Sequence, residues 1–417
     1  MENHFTQTTL SNGLKVLLKE IHTAPIISSW LWYRVGSRDE VQGRTGISHW
    51  VEHMQFKGTP QFPSNVLDKT ISREGGSWNA STSLDSTRYY ETMPADKIDL
   101  ALRLEADRMI NSQFAPDDVA SERTVIISER EGSENEPFFL LGEAVQQASF
   151  RIHPYHHEII GDIADLQSMT RDDLYDHYRK FYVPNNAVMV VAGDFETEPM
   201  LARIRELFEP IPAGSAPSRL AREEPLQKGE IRLSVEGPGE TTYTQVAYRF
   251  PSASHPDFFP LTVLDSLLAG PSGLSNKTSR LYRALVDKEY AVDVSGGAEA
   301  TIDPFIYRIS LIIHPKRRVE QALAVLDNEI NRIRDNLVLQ EEIARAIKQA
   351  RAVFAYRIES ITNQAFWLGY AEMFATHEWF QTYLDKLSAV TAKDIQRVAN
   401  EYFKPQHRVV GTYIPLG

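Results

Sequence analysis

Apolar residues along the chain follow two patterns that take turns. "LKVLLKE" (14–20), "IISSWLWYRVG" (26–36) and "AVMVVAGDF" (187–195) are short, dense in apolar residues, and read as strands. "NVLDKTISREG" (65–75), "KIDLALRLEADRMINS" (97–112) and "ASERTVIISERE" (120–131) repeat apolar positions at helical spacing and read as helices. Strand pairs are joined by short connections, and helices follow in groups. The order predicts an α+β fold of two homologous sandwich domains, each a largely antiparallel sheet with helices packed on one face.

The chain states this pattern twice. "TRDDLYDHYRKFYVPNNAVMVV" (170–191) resembles "TAKDIQRVANEYFKPQHRVVGT" (391–412), with Thr170 and Thr391, Asp173 and Asp394, Phe181 and Tyr402, and Pro184 and Pro405 all 221 positions apart. Each segment reads as an amphipathic helix closed by an aromatic pair and a proline, then an apolar strand. Earlier in each half, "WYRVGS" (32–37) resembles "AYRFPS" (247–252). Two matches in the same order point to duplication rather than coincidence. Between the halves, "EPIPAGSAPSRLAREEPLQKGE" (209–230) is rich in Pro, Ala, Ser and charge and has no apolar period, the signature of a linker. The expected division is a domain over 1–212, a linker over 213–227 and a domain over 228–417.

Composition narrows the chemistry. The 417 residues include no cysteine, so disulfides, thiolate metal sites and cysteine nucleophiles are excluded, and any metal must sit on His, Asp or Glu. A net charge of -12 argues against a nucleic-acid surface and against anionic lipid. No apolar run approaches a membrane span. The start, "MENHFTQTTLSNGLKVLLKE", lacks the basic residues and apolar block of a signal peptide, so a soluble cytoplasmic protein is expected, although a leader already removed leaves no trace.

The densest chemistry lies in "GISHWVEHMQFKGT" (46–59). Ile47, Trp50, Val51 and Met54 recur at helical spacing and can pack on a core. His49 and His53 are four apart, one above the other on a single face, so their imidazoles can meet one ion. Glu52 stands beside them and can reach a water without binding the metal. This H-x-x-E-H order is the inverzincin signature; the competing reading is a surface helix with solvated histidines. A catalytic zinc takes three protein ligands and keeps a position open. "SERTVIISEREGSENEP" (121–137) offers the third: Glu122 and Glu129 are seven apart and share a helix face, with Val125 and Ile126 between them expected to pack inward. Glu129 could then bind the zinc, and Glu122 could orient a histidine. A plain charged helix competes, since Glu131 and Glu134 are nearby. In "HPYHHE" (153–158), His153, His156 and His157 lack helical ligand spacing with a carboxylate base and are expected to be structural.

Together with "GGSWNASTSLDSTRYYETMP" (75–94), "ERTVIISE" (122–129) and "HPY" (153–155), the motif makes the chain resemble the pitrilysin/insulinase family of zinc metallopeptidases over nearly its whole length, close to a mitochondrial-processing-peptidase-like branch of short bacterial members. The resemblance implies one Zn2+ per chain on His49, His53 and Glu129, with Glu52 as general base of peptide hydrolysis and Glu122 supporting the site. Residues 77–83 alternate and are rich in small polar side chains, as an edge strand would be, and an extended peptide can add to such an edge. The resemblance places that contact on Asn79, Ala80 and Ser81.

The second half has no such motif; "PLTVLDSLLAG" (260–270) carries no histidine. Self-sufficient members of the family supply an Arg and a Tyr, seven apart, after an S-R-L segment. In "SRLYRALVDKEYAVDV" (279–294), Val286 stands at the Arg position, Val292 or Asp293 at the Tyr position, and Tyr290 is out of register. The resemblance therefore implies an endopeptidase for peptides or unfolded segments inside a clamshell chamber. In that reading the chain is the zinc-bearing subunit of a heterodimer whose partner brings the Arg/Tyr pair. A self-sufficient homodimer and a non-catalytic assembly subunit are the alternatives.

Overall fold

The computed structural model describes residues 5–215, 222–271 and 275–417; positions 216–221 of the expected linker lie outside the described residues. β1 (Phe5–Thr9), β2 (Lys15–Glu20), β3 (Ile26–Tyr33), β4 (Ser77–Thr82), β5 (Thr87–Pro94) and β6 (Ala187–Gly193) form one sheet in the order β1-β2-β6-β3-β5-β4. β7 (Ile231–Gly237), β8 (Tyr243–Phe250), β9 (Ala291–Ala298), β10 (Phe305–Ile313) and β11 (Arg408–Pro415) form the other, in the order β7-β11-β8-β10-β9. Without β1 the two orders coincide. Each sheet has one parallel pair, β2 with β6 and β7 with β11, and is otherwise antiparallel.

The repeat seen in the sequence holds at the level of register. Tyr33 pairs with Ala187 in the first sheet, and Tyr248 pairs with Arg408 in the second. Thr170 and Thr391 each cap a helix through a reciprocal box: the Asp173 and Asp394 amides donate to the threonine hydroxyls, and the threonine amides donate to the aspartate carboxylates. All seven residues of β6 are buried, which accounts for its unbroken apolar run.

Contacts divide the described residues into two compact units. One draws on Met1–Arg130, His157–Ala221 and Arg357–Phe380; the other on Glu131–His156, Arg222–Tyr356 and Gln381–Gly417. A helical segment of each half thus belongs to the unit built on the other half's sheet. Helix Ile361–Phe374 lies on β3 and β6, against the face that carries Trp30 and Trp32. Its Phe366 meets Trp30 edge-on at 5.4 Å, and Gly369 lies so near the Trp32 indole that a Cβ there would fall 2.1 Å from Nε1. In the other unit, helix Pro137–Ser149 lies on β7, β8 and β11, where a Cβ on Gly411 would fall 2.4 Å from Val145. The opposite faces take helices of the same half, including Ile98–Asn111 on β3 and β5 and Ala392–Tyr402 on β8. Each sheet therefore has the expected helical face and a second one supplied from far along the chain. Among the described residues, no helix is long and apolar enough to cross a membrane.

Candidate metal centre

Helix Ile47–Met54 buries Ile47, Trp50, Val51 and Met54, which turns His49, Glu52 and His53 to one side. Its N-cap, Gly46, has φ of +85°, and a Cβ there would fall 2.4 Å from the Ile160 carbonyl, so glycine is required on both counts. A glycine has no side chain to cap the helix, and Glu40 does this from outside. Its carboxylate accepts from the amides of Gly46 at 2.8 Å and Ser48 at 2.9 Å, and its Oε2 lies 2.9 Å from His157 Nε2.

The first unit brings His49, His53 and Glu129 together. Glu129 Oε2 is 3.9 Å from His49 Nε2 and 3.8 Å from His53 Nε2, and the three donor atoms all lie within 4.8 Å of one another. This is the one group of three His, Cys, Asp or Glu side chains with metal-ligand spacing among the described residues. A tetrahedral zinc with bonds of about 2.0–2.1 Å separates its donors by roughly 3.4 Å, so Glu129 stands about half an ångström too far from each histidine and the group contracts to take an ion. Two imidazole nitrogens and one carboxylate suit zinc and leave a coordination position open. Burial, reinforced by the neighbouring His53, pushes His49 down to about 4, which keeps its imidazole in the neutral form that ligation requires.

Helix Pro116–Glu134 supplies both acids. Val119, Glu122, Ile126 and Arg130 form its buried stripe, and Glu129 is half-exposed beside it. Val125 is 47% exposed instead of packing inward, because it precedes Ile126 by one position, about 100° around the helix. Glu122 Oε2 lies 3.0 Å from His53 Nδ1, and its other oxygen takes Lys57 Nζ. Burial opposes charge on Glu122, but the bonds from Lys57 and His53 outweigh it and hold the carboxyl below the usual range. This contact places the His53 proton on Nδ1 and leaves the Nε2 lone pair facing Glu129. His49 Nδ1, in contrast, is buried with no hydrogen-bond partner among the described residues.

Burial raises the Glu52 carboxyl, while the Thr82 hydroxyl, which donates to its Oε2 at 2.6 Å, works the other way. Thr82 ends β4, and β4 is the edge of its sheet. Strand alternation puts Trp78, Ala80 and Thr82 on the side of the histidine helix, where Trp78 lies 4.6 Å from Phe56. Asn79 and Ser81 face the other way. Ser81 accepts from Arg88 Nη2 at 3.2 Å, and the Arg88 guanidinium lies over Trp32 and Phe366 at 5.1 and 5.2 Å. Toward the metal side Asn79 and Ser81 can thus offer only backbone groups. Sequence reasoning missed Thr82, Lys57 and Glu40. Thr82 sits in a stretch singled out for another reason, and nothing in its spacing marks it.

Outside the metal centre, His153, His156 and His157 have structural partners. His153 Nε2 lies 3.2 Å from Asp303 and its Nδ1 accepts the Tyr155 amide, while His157 serves Glu40. In the second half, helix Phe258–Leu268 carries the buried Asp265, bonded at 2.8 Å by the Tyr307 hydroxyl and pushed up to about 7 by burial. Val286 closes the turn Tyr282–Val286, and Val292 and Asp293 are exposed on β9.

Two family models match the chain: insulinase (peptidase family M16) over residues 15–163 and the peptidase M16 inactive domain over residues 168–350. Zinc protease PqqE of Helicobacter pylori is 28% identical over 95% of this chain and 89% of its own length. The probable beta subunit of the mitochondrial-processing peptidase of Arabidopsis thaliana is 24% identical over 98% of this chain and 78% of its own. The crystal structure of a protease from Helicobacter pylori superposes with a TM-score of 0.93 at 27% identity, covering 99% of this chain and 100% of the other.

Proposed function

We propose, from the premise that this chain belongs to the pitrilysin/insulinase (M16) family of metallopeptidases, that it is a zinc endopeptidase acting through His49, His53, Glu129 and Glu52. The observation that carries the reading is the convergence of the two histidines and Glu129, with the Glu52 carboxylate on the same helix. Bound there, Zn2+ supplies a Lewis acid for a peptide carbonyl and lowers the pKa of a water toward neutrality. His49 and His53 offer Nε2, Glu129 offers a carboxylate oxygen, and Glu122 orients His53. Glu52 takes the proton of the water that attacks the carbonyl carbon, then gives it to the leaving amine nitrogen.

An extended peptide adds to the free edge of β4 through the backbone of Asn79, Ala80 and Ser81. Only an extended segment can pair with an edge in this way, which favours peptides and unfolded segments over folded proteins. The absence of an Arg/Tyr pair at Val286 and Val292 or Asp293 supports the heterodimer, in which a homologous chain supplies those groups.

Cleavage of a quenched fluorescent peptide by the zinc-loaded chain alone, with Glu52→Gln as control, tests both parts. Loss of at least about 100-fold in the control is expected of a general base. Activity of the chain alone that vanishes in the control supports the centre and removes the need for a partner. One tightly bound zinc per chain without activity supports the half-enzyme, and an active Glu52→Gln variant sinks the assignment of the base.

A further inference from the structure

Among the described residues, one hydrogen bond reaches the Glu52 carboxylate, and it comes from the Thr82 hydroxyl at 2.6 Å. Its direction follows from the acceptor, because an ionised carboxylate has no hydrogen to donate. Thr87 pairs with Thr82 across β4 and β5, with hydroxyl oxygens 3.4 Å apart, and donates its own hydrogen to the Val35 carbonyl at 2.9 Å. Thr87 thus has no hydrogen for Thr82, and the Thr82 hydrogen goes to the carboxylate, the nearer acceptor at 2.6 Å, which when ionised can only accept. The same stretch of edge strand is held from the other face, where Arg88 donates to Ser81 and lies against Trp32 and Phe366. The bond thus runs from a strand fixed on its far side to a carboxylate with no other hydrogen bond among the described residues.

We propose that Thr82 is a positioning residue: its hydroxyl fixes one oxygen of Glu52 and so keeps the other for the proton of the attacking water, an inference that rests on the peptidase reading above. The terminal torsion of a glutamate is broad and roughly two-fold, so an untied carboxylate spreads over orientations of which few are productive. Tying one oxygen to the backbone-paired strand removes that spread. Because β4 is also the edge that a peptide would extend, substrate docking and base orientation share one residue. The contribution falls on the chemical step and leaves docking itself untouched, since the β4 backbone, not the Thr82 hydroxyl, pairs with the peptide.

Three substitutions separate the hydroxyl from the strand. Thr82→Val keeps shape and β-branching and removes the donor; Thr82→Ser keeps the donor; Thr82→Ala is the smaller control for serine. In the zinc-loaded active enzyme, Thr82→Val is expected to lower kcat about 10- to 100-fold, as loss of a hydrogen bond to a charged group implies, with KM within about twofold. Thr82→Ser is expected to restore kcat, and Thr82→Ala is not. Zinc content and Tm are expected to stay at wild-type values in all three. Crystal structures of the variants give a readout independent of activity: Glu52 is expected in one rotamer in Thr82→Ser and in several in Thr82→Val and Thr82→Ala. The inference is overturned by a wild-type kcat in Thr82→Val, by a change confined to KM, by losses that track zinc content or Tm, or by an unchanged Glu52 rotamer without the hydroxyl. An active Glu52→Gln variant overturns the peptidase reading instead, and the two failures are therefore distinguishable.

Discussion

Glu122 stands between His53 Nδ1 and Lys57 and is not one of the three side chains that converge on the candidate metal position. Its loss frees the His53 ring to rotate and to exchange tautomers, so Glu122→Gln is expected to weaken zinc about 10- to 100-fold, measured by competition with a chelator. His49, whose Nδ1 has no partner among the described residues, cannot compensate. A variant that holds zinc as tightly as the wild type would show that packing alone orients His53. At this scale, helical spacing made the candidate ligands legible in the sequence. His49, Glu52 and His53 share a face because three and four residues nearly complete a turn, and Glu122 and Glu129 are related by two turns in the same way. Thr82 and Lys57 were hidden for the converse reason. Thr82 meets Glu52 across 30 positions and Lys57 meets Glu122 across 65, so strand register and helix packing decide both contacts, and local periodicity decides neither.

The histidine helix is short and depends on an external cap. Glu40 and His157 are both buried, and the carboxylate also holds the amides of Gly46 and Ser48 that would otherwise be orphaned. Removing that charge takes the Glu40 carboxylate away from the buried imidazolium and from both amides, so Glu40→Ala is expected to destabilise the protein by about 3 kcal/mol and to speed amide exchange at Gly46 and Ser48. Burial works against protonation of His157, but the hydrogen bond and charge of Glu40 outweigh it and raise the pKa above the ordinary value. The folded state therefore binds the proton more tightly than the unfolded one. The stabilisation is complete below about 6.5, the unfolded value, and is lost as pH rises through the higher folded value. Thermal melts across that window should show Tm falling with pH in the wild type and a flatter profile in His157→Gln; equal slopes would exclude the pair as the cause. The threonine-aspartate boxes at 170 and 391 could be read from the sequence because the partners are three residues apart. The Glu40 cap could not, since a glycine N-cap announces nothing about which side chain replaces its own.

At the scale of the molecule, the duplicated sheets were legible and the exchange of helices between them was not. Pro137–Ser149 and Ile361–Phe374 are rich in apolar residues and must be covered, but a helix bears no mark of which sheet it covers. The exchange sets how the chain can be divided. Ile361, Ala365, Leu368, Ala371 and Met373 are all buried, and the larger three alone represent on the order of 5–10 kcal/mol of apolar burial, comparable with the whole stability of a domain. A fragment spanning 1–212 contains every candidate zinc ligand and lacks this helix, which leaves the Trp30 and Trp32 face of its sheet bare. It also retains Pro137–Ser149 with no sheet to cover. Expressed alone, it is expected to aggregate or to melt without cooperativity, and 228–417 is expected to fail in the same way. Expressed together, the fragments should fold, elute as a one-to-one complex and bind one zinc. Cooperative melting and zinc binding by 1–212 alone would show instead that the exchanged helix is an accessory to a domain already complete in the first half of the chain.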